Sequence, residues 1–452
     1  MRIFQTISIN ILREFVSLLS NYENLLLSET SKSILPFTTT ADIPATSHRK
    51  LQLKMENNME RAKQILDLAK KYEQYTAENL SKLIKIKSLS SKEKDVIFEL
   101  KRMMEEAGFD EVKIDGIGNI IGRIGNGKKI IAIDGHIDTV DLGNLQNWNF
   151  DPLGGEIIDG FVHGRGSVDQ KGGPIAAITA GRILKELGLT NDITLLVTGT
   201  VMEEDCDGLC WKYLVEEENV RPDCVIVTEP TNMNIYRGHR GRMEIEVSFF
   251  GISAHGSAPE RGKNAIYMAS RAALEIEKLN ERLAYDEFLG KGSVTISEFV
   301  SSSPSLCAVA DFAKIHLDRR LTWGENKELA VKEVEEIVKD MNAKVEILYY
   351  DETAFTGLKY GMEKYYPTWK LEENHPVIQT GIKVFTELFD EKPVVDKWTF
   401  STNGISINGM YGIPVIGFGP GNEVMAHAPN EKVPIEHLMK ASAFYALFCE
   451  KF

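Results

Sequence analysis

The stretch Ile131-Ala-Ile-Asp-Gly-His136-Ile-Asp138-Thr139 decides the fold of this chain. An apolar, β-type run delivers a histidine and an aspartate two residues apart, hence on the same side of extended backbone. Two further runs are built alike: Thr194-Leu-Leu-Val-Thr-Gly-Thr-Val-Met-Glu203-Glu204-Asp205 and Val225-Ile-Val-Thr-Glu229-Pro230 both end in carboxylates. Residues 173–187 read as a helix. Strands alternating with helices imply an α/β fold, a mostly parallel mixed sheet with helices on both faces. Strands that end in ligand-type residues put them in the crevice where open α/β sheets bind their ligands.

Upstream, residues 62–86 and 92–107 read as amphipathic helices, the second closed by Gly108. Residues 112–114, 119–124 and 129–133 read as short strands. Residues 1–54 differ in character: they hold six Lys/Arg and four Asp/Glu and are rich in Ser and Thr. Ile9, Leu12, Phe15, Leu18 and Leu19 give them a weak helical pattern. They read as an N-terminal extension, for which a targeting arm, a docking helix and an upstream start codon compete; the last, with Met55 or Met59 as the start, is favoured. Residues 55–235 form the first part of a catalytic domain.

Around Arg237 the rhythm changes. Residues 244–250 alternate Glu and Ser with Ile, Val and Phe, as a half-exposed antiparallel strand does, and residues 264–283 are helical. Residues 292–299, 313–319 and 345–348 supply further strands, with a helix over 325–341 before the last. Strand, helix, strand, strand, helix, strand describes an inserted α+β, ferredoxin-like domain over residues 236–350. The α/β character resumes over residues 351–452, the second part of the catalytic domain, with a helix from Pro376 to Phe389 and a glycine-rich run over 413–421.

Composition narrows the function. Of 452 residues, 43% are hydrophobic and 26% charged, an ordinary globular balance. Lys+Arg of 52 against Asp+Glu of 66 leaves a net charge of −14, which disfavours nucleic acid and anionic membranes as partners. The most apolar N-terminal run, residues 9–27, is interrupted by Arg13, Glu14 and Glu23, so it reads neither as a membrane span nor as a secretory signal. Five cysteines, an odd number, fit a reducing cytoplasm.

The remaining motifs carry chemistry. Gly164-Arg-Gly-Ser-Val-Asp169-Gln-Lys-Gly-Gly173 places an acid on a loop opening a helix, and Asn422-Glu-Val-Met-Ala-His427 adds a late histidine. Taken singly, Glu203-Glu204-Asp205 reads equally as a solvated charge run, Asp169 as a turn former and His427 as a surface histidine. Together, two histidines and three carboxylates form the mixed N/O set that suits a pair of Zn²⁺ or similar ions. Cys206 and Cys210 lack the further thiolates of a zinc site and read as structural.

From about Glu60 to the C-terminus the chain resembles the dinuclear metallohydrolases that include acetylornithine deacetylase, succinyl-diaminopimelate desuccinylase, carboxypeptidase G and aminoacylase. The motifs above, with Ser253-Ala-His255-Gly-Ser and Gly419-Pro-Gly, occur in that family's order. The closest subgroup is the YgeY-like hydrolases. The resemblance implies a zinc exopeptidase-like catalytic domain and a lid that forms a homodimer. By position it also implies that His136 and Glu229 hold one divalent ion, Glu204 and His427 the other, and Asp169 bridges them, the ions being Zn²⁺ or, alternatively, Co²⁺. Asp138 would be the partner of His136, Glu203 the general base, and Asp169–Gln170 a cis peptide. His255 would reach the partner subunit's site to stabilise the oxyanion, and Arg320 would hold a free carboxylate, although a loop His and a strand Arg are ordinarily surface residues.

The implied reaction is hydrolysis of the amide of an N-acyl amino acid or short peptide, by a metal-activated water that gives its proton to Glu203. A dipeptidase or carboxypeptidase, and a catalytically silent binding homologue, are the alternatives. One departure stands out: where the family commonly has Asn-Val-Ile-Pro, this chain has Cys307-Ala-Val-Ala310, so an Asn that contacts substrate is missing and Cys307 reads as packing. Adjacent base and ligand also demand irregular backbone, since a regular strand would send Glu203 and Glu204 to opposite faces.

Overall fold

The computed structural model of the chain describes residues 45–452, with side chains from Glu56 onward. Residues 1–44, most of the N-terminal extension, lie outside the described part. From Ala45 the backbone is helical without a break through residue 54, in α1 (Ala45–Lys71). The single helix expected over residues 62–86 is two, because Tyr72 leaves helical geometry with ψ of 3° before α2 (Glu73–Ile84) begins. α3 (Lys94–Glu106) follows, and Gly108, at φ +85°, turns the chain away from its end.

Of the elements that come next, six strands and two helices build the main sheet and its cover: β1 (Glu111–Ile114), β2 (Ile120–Gly125), β3 (Lys129–His136), α4 (Gly172–Glu186), β4 (Ile193–Thr200), α5 (Leu209–Glu216), β5 (Cys224–Val227) and β6 (Ile235–Tyr236). The lid is inserted here as β7 (Gly241–Phe250), α6 (Ala265–Glu281), β8 (Ser293–Ser302), β9 (Phe312–Leu321), α7 (Lys327–Val338) and β10 (Ala343–Ile347). α8 (Pro376–Phe389), β11 (Val395–Asp396), β12 (Val415–Gly417) and α9 (Ile435–Lys451) complete the order.

The main sheet runs β1-β2-β4-β3-β5-β12-β6-β11. Its centre, β4-β3-β5-β12, is parallel, while β1, β2 and the β12–β6 contact are antiparallel. The last six residues of β3 are buried, as a strand covered on both faces requires. α3 closes on one face, where Cβ atoms at Gly199 and Gly122 would collide with Leu100 and Met104. α5 and a π-helical turn, Ile405–Met410, cover the other, tied to β3 by Asn403 Nδ2 donating to Asp134 Oδ2 at 2.9 Å.

The lid sheet runs β8-β9-β7-β10, antiparallel throughout. Alternation sorts its faces: Met243, Ile245, Val247 and Phe249 of β7 pack with Ala269, Ala272 and Ile276 of α6 and with Ala330 and Val334 of α7. This βαββαβ order is the one expected from sequence, and its hydrophobic cluster is separate from the main one. Among the described residues no helix is long and apolar enough to cross a membrane.

Candidate metal centre

The three ligand-bearing strand ends lie side by side. In the β4-β3-β5 order His136 sits opposite Thr200, and Asp134 opposite Val227. Glu203 and Glu204 therefore leave the sheet on one side of His136 and Glu229 on the other. Asp169 comes from the loop entering α4, and its peptide bond to Gln170 is cis. α4 begins almost on β5: a Cβ on Gly173 would fall 2.0 Å from Thr228 Oγ1, so only glycine permits the approach that sets Asp169 near Glu229. His427 follows a short 3-10 turn and takes φ +60°.

Asp169 stands between the two imidazoles. Its Oδ1 lies 2.9 Å from His136 Nε2, and its Oδ2 lies 3.3 Å from His427 Nε2. Glu229 Oε1 is 3.5 Å from His136 Nε2, and Glu204 Oε2 is 2.9 Å from His427 Nε2. Glu203 Oε2 is 3.8 Å from His136 Nε2. Thus His136, Asp169 and Glu204 form one group of potential ligand atoms, and His136, Glu203 and Glu229 another. His136 Nδ1 lies 2.9 Å from the Asp138 carbonyl, closer than the Asp138 carboxylate at 3.5 Å. With its Nδ1–H donated to that carbonyl, His136 directs Nε2 at the acids, where a proton or a metal ion would sit between them.

The irregular backbone demanded by the Glu203-Glu204 pair is present. Met202 has φ +60°, in the left-handed region, and three successive N–H groups are held by buried carboxylates. Met202 N donates to Glu93 Oε1 at 3.1 Å, Glu203 N to Asp138 Oδ1 at 3.3 Å and Glu204 N to Asp138 Oδ2 at 3.1 Å. Ser90 Oγ also donates to Asp138 Oδ2, at 2.7 Å. The Asp138 side chain thus holds the strand end more than the imidazole.

Donor chemistry and charge suit cations. Glu229 Oε2 is buried with no hydrogen-bond partner, a costly state for a carboxylate unless a cation meets it. Ligands at ~2.0–2.1 Å around a tetrahedral ion lie roughly 3.3 Å apart, close to the 2.9, 3.3, 2.9 and 3.5 Å separations here. Burial, and then repulsion from neighbouring acids, pushes the Glu203, Glu204 and Glu229 carboxyls above their ordinary range. Asp169 and Glu204 raise the His427 imidazole to about 10. Burial works against charge on His136, yet Glu203, Asp138 and Asp169 hold it well above its usual value. A cluster this rich in acid draws in positive charge, and the residues fit a metal centre.

A cavity of ≈ 300 Å³ opens from this cluster toward the lid, and Arg320 is among its lining residues. Arg320 Nε and Nη2 are held by Asp318 at 2.7 and 3.0 Å. Arg242, directly opposite Arg320 in the β7–β9 register, lines it too, as do Asp207 and Ser401. None of these three was singled out from sequence, because only cross-strand register and chain closure bring them there. His255 is not among the lining residues; it is exposed in the lid, with Nδ1 accepting from Ser257 N at 3.1 Å. Cys206 and Cys210 are buried, whereas Cys307, expected to pack, is exposed.

The sequence pattern of peptidase family M20/M25/M40 matches residues 132–451. The chain is 52% identical over 386 residues to the uncharacterized protein YgeY of Escherichia coli strain K12, covering 85% of this chain and 96% of that one. It is 33% identical over 192 residues to a probable succinyl-diaminopimelate desuccinylase of Staphylococcus epidermidis, covering 41% and 47% of the two chains. The crystal structure of aminopeptidase PepT from Bacillus cereus ATCC 10987 shares the fold, with a TM-score of 0.65 at 22% identity over 84% of this chain and 98% of that one.

Proposed function

Because this chain belongs to peptidase family M20/M25/M40 and is a metal-dependent hydrolase of C–N bonds, we propose that it cleaves the amide of an N-acyl amino acid or short peptide bearing a free carboxylate. Asp169 carries this reading, since its two oxygens face two different imidazoles. His136 and Glu229 would hold one divalent ion and Glu204 and His427 the other, with Asp169 shared and zinc preferred to cobalt for this donor set. When bound, the ions polarise the scissile carbonyl and make a water acidic enough to attack near neutral pH.

The chain's own residues supply the rest. Glu203 takes the proton of the attacking water on its carboxylate and later delivers it to the leaving amine; its buried, unpartnered Oε1 is free for that exchange. Asp138 keeps Glu203 and Glu204 diverging by holding their N–H groups. Arg320, oriented by Asp318, meets the substrate carboxylate.

Purified, metal-loaded enzyme assayed against acetylated and succinylated amino acids and against dipeptides tests the substrate class. Turnover of the acyl substrates is expected; turnover of dipeptides alone would make it a dipeptidase, and none at all in either series a binding homologue. Glu203→Gln should abolish nearly all turnover while metal content, measured by elemental analysis, stays at the wild-type level.

The lid supports a homodimer. β8 is a ten-residue edge strand whose outer half is exposed, with Phe299 43% and Val300 39% accessible, and such edges pair readily. His255, with Nδ1 engaged, presents Nε2–H as a donor to the partner subunit's oxyanion. Mixing inactive His255→Ala and Glu203→Gln subunits should then restore partial activity, and no recovery with exchange verified argues against it. Five free cysteines, four of them buried, suit a reducing cytoplasm.

A further inference from the structure

Arg165 and Glu431 form a buried ion pair beside the metal centre, 3% and 0% exposed, with Nη1 donating to Oε2 at 2.7 Å. The other carboxylate oxygen of Glu431 accepts from the backbone of Val168 at 2.8 Å and of Asp169 at 3.0 Å. The guanidinium reaches the other way: Nη2 donates to the His427 carbonyl at 3.4 Å and Nη1 to that of Ala428 at 3.3 Å. The Glu431 carbonyl accepts from Gly164 N at 2.9 Å, and the Trp148 ring lies 5.2 Å below the guanidinium. One pair of side chains therefore grips the two loops that carry Asp169 and His427.

Those two loops need such a grip. His136 and Glu229 stand at or just past strand ends, and the turn carrying Glu203 and Glu204 is already held by Glu93 and Asp138, whereas Asp169 and His427 sit on loops that those carboxylates do not reach, and the His427 side chain is 57% exposed. A buried ion pair is weak support for stability, since desolvation offsets its attraction. Its groups do fix geometry, and outer partners of metal ligands commonly set affinity by 10–100-fold.

We propose that Arg165 and Glu431 are positioning residues that hold Asp169 and His427 at the separation needed to bind the second divalent ion, the one shared with Glu204. The inference rests on the dinuclear reading above. It predicts a selective defect: without the clamp, the Glu204/His427 site loosens while the His136/Glu229 site, built on strand ends, keeps its ion.

Zinc titration of metal-free enzyme against a chromophoric chelator tests this, with the melting temperature of each metal-free form measured alongside. Wild type should take up two equivalents per chain. Glu431→Gln, and the double variant Arg165→Met/Glu431→Gln that leaves no unpaired buried charge, should retain one equivalent at wild-type affinity and bind the other at least 10-fold more weakly. Two equivalents at unchanged affinity in both variants, or equal weakening of both equivalents in the cooperatively melting double variant, overturns the clamp. A wild type that binds fewer than two equivalents instead overturns the dinuclear reading itself.

Discussion

Asp138 shows how one side chain serves the centre without standing in it. Its carboxylate accepts from Glu203 N, Glu204 N and Ser90 Oγ, and its carbonyl takes His136 Nδ1. In Asp138→Asn one of the two oxygens becomes an NH₂ facing a backbone donor, so one of the N–H groups loses its acceptor. Metal affinity should fall by about 10–100-fold, read by chelator competition; unchanged affinity would mean that the strand end holds its shape unaided. His136, Asp169, Glu203, Glu204, Glu229 and His427 were legible because each follows a strand or sits in a motif of distinctive order. Arg165, Glu431, Glu93 and Arg242 were not, because their roles depend on partners 109 residues away for Glu93 and 266 for the Arg165–Glu431 pair, or on cross-strand register, which no local pattern states. The expected ring contact of Asp138 is met mainly by its carbonyl, a distinction between atoms that sequence does not carry.

Among the elements, the lid was the most legible, because period-two alternation marks its faces. Arg319 and Arg320 show the rule at its sharpest. Arg319 turns inward to pair with buried Glu325 at 2.5 Å, and its neighbour turns out to the cavity. β6 and β11 escaped sequence reading because two residues give no period, and the break at Tyr72 escaped because both flanking segments share a helical pattern. Separate cores predict separable stability. Leu317, fully buried at the centre of β9, belongs wholly to the lid cluster. Leu317→Ala should cost about 2–5 kcal/mol from lost burial and the residual cavity. By hydrogen exchange, protection should fall in β7, β9 and β10 while the amides of β3 and α4 keep theirs; uniform loss across both would show one cooperative unit instead of two.

The two cores meet in the whole molecule through two crossing segments, paired where Gly238-His239 lies against Trp369-Lys370. His239 is fully buried there, and its Nε2 accepts from Trp369 Nε1 at 2.8 Å and from Thr402 N at 3.1 Å, while Nδ1 lies 2.9 Å from the Arg240 carbonyl. This pattern requires the neutral ring. Burial, with nearby Arg320 adding to it, pushes the imidazole from 6.5 down to about 4. Between those values the unfolded chain binds a proton that the folded chain does not, so folding stability rises with pH across the window. The contribution is fully present above about pH 6.5 and is lost as pH falls toward 4, up to about 3 kcal/mol in all. His239→Gln offers an amide oxygen to the same donors but cannot titrate. Urea unfolding midpoints for the two proteins should therefore diverge in slope between about pH 7 and pH 4, with wild type losing the more. Parallel slopes would place the acid sensitivity of the molecule elsewhere and leave the junction between lid and catalytic body indifferent to protons.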